Sequence, residues 1–62
     1  MPVVTVEMWQ GRNDEQKEKL IKEITKAFEA IGVKKESLTI ILHETPKSNW
    51  GTHGEQASKT NP

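Results

Sequence analysis

Three groups in this chain have the chemistry to make a site: the backbone nitrogen of Pro2, the side chain of Arg12 and the indole of Trp50. Pro2 follows Met1, and a small second residue favours removal of the initiating Met, which leaves a free secondary amine. An α-amino group ionises near neutral pH, and burial or a nearby cation disfavours its ammonium form, so such a nitrogen can serve as a general base. With Met1 retained, the same nitrogen is an amide and has no basicity. Arg12 lies ten residues beyond Pro2 and is the only arginine in the chain. Its planar guanidinium fits a carboxylate in a two-pronged way that a lysine ammonium cannot. Trp50 can wall a pocket and keep water out. Many chains begin Met-Pro, and loop arginines and packed tryptophans are common, so none of the three defines a site by itself.

Other catalytic sets are missing. There is no Cys, no Gly-x-Ser-x-Gly turn and no glycine-rich phosphate loop. His43 and His53 stand ten residues apart, without the spacing of zinc ligands. Glu7, Glu44 and Glu55 are scattered and read as solvated surface carboxylates. No metal and no cofactor is expected.

The elements that would hold these groups are legible. Met1 to Trp9 reads as a β-strand, rich in β-branched residues, with Val4, Val6 and Met8 on one side and Val3, Thr5, Glu7 and Trp9 on the other. Gln10-Gly11-Arg12 breaks it. Asn13 is a good helix N-cap, Gln16 completes a capping box, and Asp14 and Glu15 suit the positive end of the helix dipole. The helix is predicted to run to about Ile31, with Gly32 as a left-handed C-cap. Leu20, Ile21, Ile24, Ala27, Phe28 and Ile31 fall on one helical stripe. Lys17 joins that stripe in the first turn, where its stem can reach past the sheet edge. Val33 to Ser37 is a short connection, Leu38 to His43 a second strand, and Pro46 ends it. A strand, a helix and a strand make a βαβ unit with parallel strands and a right-handed crossover. Asn49-Trp50-Gly51 and Gly54 mark a short hairpin, and Ala57 to Pro62 is polar and expected to fray. The fold class is therefore α/β: a single domain over residues 1–62, made of one β-α-β unit and a short C-terminal hairpin.

Composition adds two constraints. Nine Lys and Arg balance nine Asp and Glu, with no basic stripe, which argues against a nucleic-acid partner. No apolar stretch approaches the ~20 residues of a membrane span, and no signal peptide is visible. The lack of Cys fits a reducing cytoplasm. Only 32% of the residues are hydrophobic in a chain of 62. A single core in so short a chain rarely supplies more than ~3–5 kcal/mol. With no disulfide and no metal to help, and a sheet left open at its edges and on one face, the chain is expected to assemble with copies of itself.

The order of these residues resembles the 4-oxalocrotonate tautomerase family. Pro2 and its β-branched strand lead into Gly11-Arg12-Asn13-Asp14-Glu15-Gln16-Lys17. That run is similar to the family's Gly-Arg-Ser/Thr-Asp-Glu-Gln-Lys, with the arginine at the same distance from the proline. Trp50-Gly51, Gly54-Glu55 and Ala57-Ser58-Lys59 resemble the family's aromatic-Gly and Gly-Gly-Glu-x-Ala-Ser tail. The likeness covers nearly the whole chain.

The resemblance implies an isomerase that needs no cofactor. Pro2 would be the base that moves a proton within an unsaturated 2-hydroxy or 2-keto acid, Arg12 would bind a carboxylate, and Trp50 would wall the pocket where the family has Phe. It also implies a homo-oligomer, a hexamer built as a trimer of dimers, and a small unsaturated carboxylic acid as substrate. One position departs from the family. Its second arginine, used across a subunit boundary, falls eleven residues before the aromatic, at Thr39. A neutral hydroxyl cannot pair with a carboxylate or steady a developing dienolate. His43, on the same strand face, and Lys34 and Lys35, just before the strand, are candidates to restore the charge. Two other readings stay open: hydration, dehalogenation or decarboxylation of an unsaturated acid by the same Pro2, or a non-catalytic role in a mixed hexamer.

Overall fold

A computed structural model describes residues 2–60 of the chain. Strand β1 (Val3–Trp9) and strand β2 (Thr39–Thr45) pair in parallel, in a register that sets Val3 opposite Thr39 and Trp9 opposite Thr45. Helix α1 (Asp14–Glu29) is the crossover between them. The Met1 end of the expected first strand lies outside the described residues, and Pro2 stands just before β1. β2 begins one residue later than expected and continues past His43 to Thr45, where Pro46, which has no N–H to give to a ladder, follows at once.

The alternation of the strands is as the sequence implied. Val4, Val6 and Met8 are half-buried, as are Ile40, Leu42 and Glu44 of β2, while Val3, Thr5, Glu7, Thr39, Ile41 and His43 are exposed. Trp9 departs from this rule. It belongs by parity to the exposed face, yet it is half-buried, because it meets Trp50 edge-to-face with ring centroids 5.8 Å apart. The ammonium of Lys47 lies 4.7 Å from the centre of the Trp9 ring.

Helix α1 starts as predicted. The Asn13 side chain accepts from the Gln16 N–H at 2.8 Å, and the Gln16 side chain accepts from the Asn13 N–H at 3.0 Å. The regular helix stops at Glu29, two residues short of the expected Ile31. Beyond it the turn tightens: Val33 N–H donates to Phe28 and Gly32 N–H to Glu29, at 3.0 and 3.1 Å, around Gly32 at φ +92°. This pair of bonds is a Schellman closure, and the left-handed conformation is why glycine stands there.

The helix stripe is narrower than the periodicity predicts. Leu20, Ile24 and Phe28 are half-buried, but Ile21, Ala27 and Ile31 are exposed, Ile31 by 73%. Two strands ~5 Å apart make a floor narrower than a ~10 Å helix, so the flanks of the stripe overhang. Lys17 reaches the sheet as expected. Its ammonium donates to Glu44 at 2.9 Å, so Glu44 is a partner of the helix rather than a free surface carboxylate.

The C-terminal segment is more ordered than its composition implies. Strands β3 (Gly51–Thr52) and β4 (Glu55–Gln56) form the hairpin, turned by His53 and Gly54, both at positive φ. Ala57 to Thr60, expected to fray, instead form a short helical turn, α2. Ala57 N–H donates to Trp50 at 2.8 Å, and Ala57 is the one fully buried residue among those described, at 3% exposure. The backbone bond to a packed tryptophan and the burial of the Ala57 methyl both tie this turn to the rest of the fold. Asn61 and Pro62 lie outside the described residues.

The protomer is elongated. Its radius of gyration is 14.5 Å, against about 10.5 Å for a compact chain of this length. The sheet face opposite α1 is uncovered, and Val3 and Ile41 stand on it 57% and 40% exposed. No helix among the described residues is long and apolar enough to cross a membrane.

Candidate active site

The site residues fall at the two ends of the sheet. At one end the Thr39 N–H donates to the Pro2 carbonyl at 3.1 Å, which extends the parallel ladder by one bond and fixes the proline at the sheet edge. The Thr39 hydroxyl residue is exposed on the face away from α1. Pro2 is half-buried and lines a shallow depression of about 430 Å³ with Gly32, Val33, Lys34 and Ser37.

The other end carries Arg12 and Trp50. Gln10 N–H still donates to Thr45 at 3.2 Å, and then Gly11, at φ +126°, turns the chain off the sheet. A left-handed residue is needed for this turn, and it leaves Arg12 exposed just before the helix cap. Trp50 is anchored by its own N–H to Lys47, by its carbonyl to Ala57, and by its contact with Trp9. A half-open cavity of about 510 Å³ at this end is lined by Trp9, Thr52, His53, Glu55, Ala57 and Thr60, and neither Trp50 nor Arg12 borders it.

β1 has seven residues, so Pro2 and Arg12 are separated by roughly 23 Å of strand or more. One protomer therefore does not bring the four together: Pro2 and Thr39 meet at one end of the sheet, while Arg12 follows β1 beyond the other end, where Trp50 packs on Trp9. Of the groups that could restore a cation at Thr39, His43 is engaged elsewhere. Its Nδ1 lies 2.8 Å from Glu7 Oε2, and it stands four residues further along the strand. Glu7 is likewise not an unattached surface carboxylate. Lys34 is the lysine that shares a depression with Pro2.

Trp9 was not singled out as a site residue by the sequence, and it packs edge-to-face on Trp50 at the end of β1 from which the chain leaves toward Arg12. The signal that pointed to it was slight: an aromatic at the last position of a strand, immediately before a glycine-containing break.

The electrostatics of the helix are plain. The hydrogen bond to Glu44, opposed by partial desolvation and aided by the charges of Glu44 and Asp14, raises the Lys17 pKa above the ordinary lysine value. Glu18 and Lys22 meet at 3.6 Å, and Glu23 and Lys26 at 3.1 Å, on the solvated face. Exposed pairs of this kind contribute a few tenths of a kcal/mol each.

The chain is thus a small α/β subunit, a parallel βαβ unit with a proline just before its first strand and an arginine beyond the end of the same strand. The family model described as tautomerase enzyme matches residues 2–60, and the chain belongs to that family. It is 40% identical over 62 residues to a 2-hydroxymuconate tautomerase of Pseudomonas putida, covering 98% of each chain. Its structure matches that of a 4-oxalocrotonate tautomerase isozyme of Methylibium petroleiphilum with a TM-score of 0.89, at 35% identity, over 98% of this chain and 100% of that one. It also matches a trans-3-chloroacrylic acid dehalogenase with a TM-score of 0.78, at 32% identity, over 89% of this chain and 97% of that one.

Proposed function

We propose that the protein is a cofactor-independent keto-enol tautomerase acting on an unsaturated 2-hydroxy or 2-keto acid, with the Pro2 amine as general base after removal of Met1. The observation that carries this reading is the position of Pro2. Its carbonyl is tied to β2, which holds the ring at the open edge of the sheet beside a depression large enough for part of a small acid. The relative named 2-hydroxymuconate tautomerase supports the substrate class.

In this mechanism the Pro2 nitrogen takes the proton of the enol hydroxyl and returns a proton to a carbon of the conjugated chain. The electrons of the O–H bond become the carbonyl, and the double bond shifts. Arg12 holds a carboxylate through two parallel hydrogen bonds, and Trp50 walls the pocket. Because Pro2 and Arg12 lie at opposite ends of β1, the complete site needs Pro2 from one copy and Arg12 and Trp50 from another. The chain then works as a homo-oligomer, six copies by resemblance to the family. The uncovered sheet face and the elongated protomer support such assembly.

The test is a comparison of mature protein with protein that keeps Met1, each identified by intact mass. The mature form is expected to ketonise phenylenolpyruvate and 2-hydroxymuconate, and the Met1-bearing form to be inactive. Equal activity would show that Pro2 is not the base. The likeness to a dehalogenase and the neutral Thr39 favour a second reading, addition of water to an unsaturated halo-acid. Halide release from trans-3-chloroacrylate by the mature protein distinguishes the two.

A further inference from the structure

We propose that Lys34 binds the substrate carboxylate next to the reacting carbons, from the same protomer that supplies Pro2; this rests on the assignment of Pro2 as the base. Lys34 and Pro2 line one depression, together with Gly32, Val33 and Ser37. The backbone around Lys34 is fixed rather than loose. On one side the Schellman closure at Gly32 holds Val33 to Phe28 at 3.0 Å. On the other, Ser37 N–H donates to the Lys34 carbonyl at 2.9 Å, and two residues later Thr39 N–H donates to Pro2 at 3.1 Å. The helix end and the sheet edge therefore set the position of Lys34 relative to Pro2.

Its charge is available to a ligand, as that of Lys35 is, and the two differ in which depression they line. Lys17, Lys22 and Lys26 each pair with a carboxylate at 2.9 to 3.6 Å. Among the described residues Lys34 has no carboxylate within ion-pair distance. Glu29, Lys35 and Glu36 are the charged groups near it, and they line a neighbouring depression of about 410 Å³ that Pro2 does not border. Lys34 borders both.

An ammonium here supplies what Thr39 cannot. An acid whose carboxylate meets Lys34 has its enol carbons over the Pro2 edge, and negative charge that develops on the enolate oxygen lies close to the same cation. In a diacid the far carboxylate remains for Arg12 of a second copy. Lys35 is a built-in control: it adjoins Lys34 in sequence and has the same charge, but it does not line the Pro2 depression.

The experiment uses the mature oligomer and its Lys34→Ala, Lys34→Arg and Lys35→Ala variants. Turnover is measured on phenylenolpyruvate, and binding is measured by calorimetry with hydrocinnamate, an acid that does not react. Loss of a charge-assisted bond predicts that Lys34→Ala raises KM and weakens hydrocinnamate binding by about tenfold or more, and that Lys34→Arg restores most of both. Lys35→Ala is expected to change neither by more than about twofold, as an exposed charge screened by solvent. The inference is overturned if Lys34→Ala leaves KM and binding unchanged, or if Lys35→Ala loses as much, which would mean a diffuse field and no specific contact. Because hydrocinnamate binding needs no base, its loss in Lys34→Ala would uphold the carboxylate site even if the Met1-bearing protein proved active.

Discussion

At the scale of single residues, the proposed mechanism turns on the nitrogen of Pro2 and on the neutral side chain of Thr39 beside it. The ammonium of Lys34, which lines the same depression, disfavours a prolyl ammonium, so under the proposed mechanism the activity of the mature protein should rise with pH along one ionisation below the usual range for an α-amino group. A pH–rate profile beside direct titration of the Pro2 nitrogen checks this; disagreement between the two would remove Pro2 as the titrating base. By resemblance to the family Thr39 stands where a guanidinium would be, and one such donor aimed at developing charge is commonly worth ~10²–10³-fold in rate. Thr39→Arg should therefore raise turnover of 2-hydroxymuconate, a diacid, by at least about tenfold, or 1.4 kcal/mol; no gain with the fold intact would mean a pocket built for another substrate. Lys17 bears on stability instead. Its pKa is raised in the folded chain by Glu44, so the contact stabilises fully below the ordinary lysine value and is lost as pH rises through the folded one. Lys17→Met should remove that alkaline component from melting curves recorded across pH.

At the scale of elements, the helix and the hairpin make opposite predictions. Phe28 is half-buried against the sheet, so Phe28→Ala should cost about 2 kcal/mol, roughly half the value for a fully buried phenylalanine. Denaturant melts at fixed protein concentration measure it, and a change under about 0.5 kcal/mol would mean that the side chain does not hold α1 to its floor. At the hairpin, His53 occupies the first central position of a two-residue turn at φ +56°, where a Cβ is unfavourable and Asn is preferred. His53→Asn should raise stability by up to about 1 kcal/mol, read in the same melts. A loss would mean that the His53 side chain makes contacts in the assembly that outweigh its backbone cost.

At the scale of the whole molecule, the shape of the protomer argues for assembly. A 14.5 Å radius of gyration, an open sheet face bearing Val3 and Ile41, and a single fully buried residue among those described do not describe a self-sufficient core. Sedimentation at micromolar concentration should show a species several times the mass of one chain, and a folded monomer under those conditions would refute this. Assembly also has a kinetic signature. If the base and the guanidinium come from different copies, mixing inactive Met1-bearing chains with inactive Arg12→Ala chains should restore part of the activity, because some sites then receive a free Pro2 and an Arg12.

The sequence determined the elements and their order because those depend on local chemistry. Asn13 and Gln16 form the capping box by their spacing alone, Gly32 takes the left-handed closure that other residues resist, and Pro46 stops β2. Alternating Val4, Val6 and Met8 fix the buried side of the first strand. The family motif around Gly11, Arg12 and Trp50 was legible for the same reason, as a linear pattern. What the sequence left undecided depends on distances between elements. A two-stranded floor is too narrow for the full apolar stripe, so Ile21 and Ile31 are exposed despite their period. Ala57 is tied down by its burial and by a hydrogen bond to Trp50 that no propensity registers. Trp9 leaves the pattern of its strand because Trp50 reaches it. The separation of Pro2 from Arg12 by the length of β1, and the placement of Lys34 rather than His43 beside the proline, came only from the tertiary structure. Parallel pairing fixes which strand ends meet, and its register sets His43 opposite Glu7, four residues along the strand from Thr39.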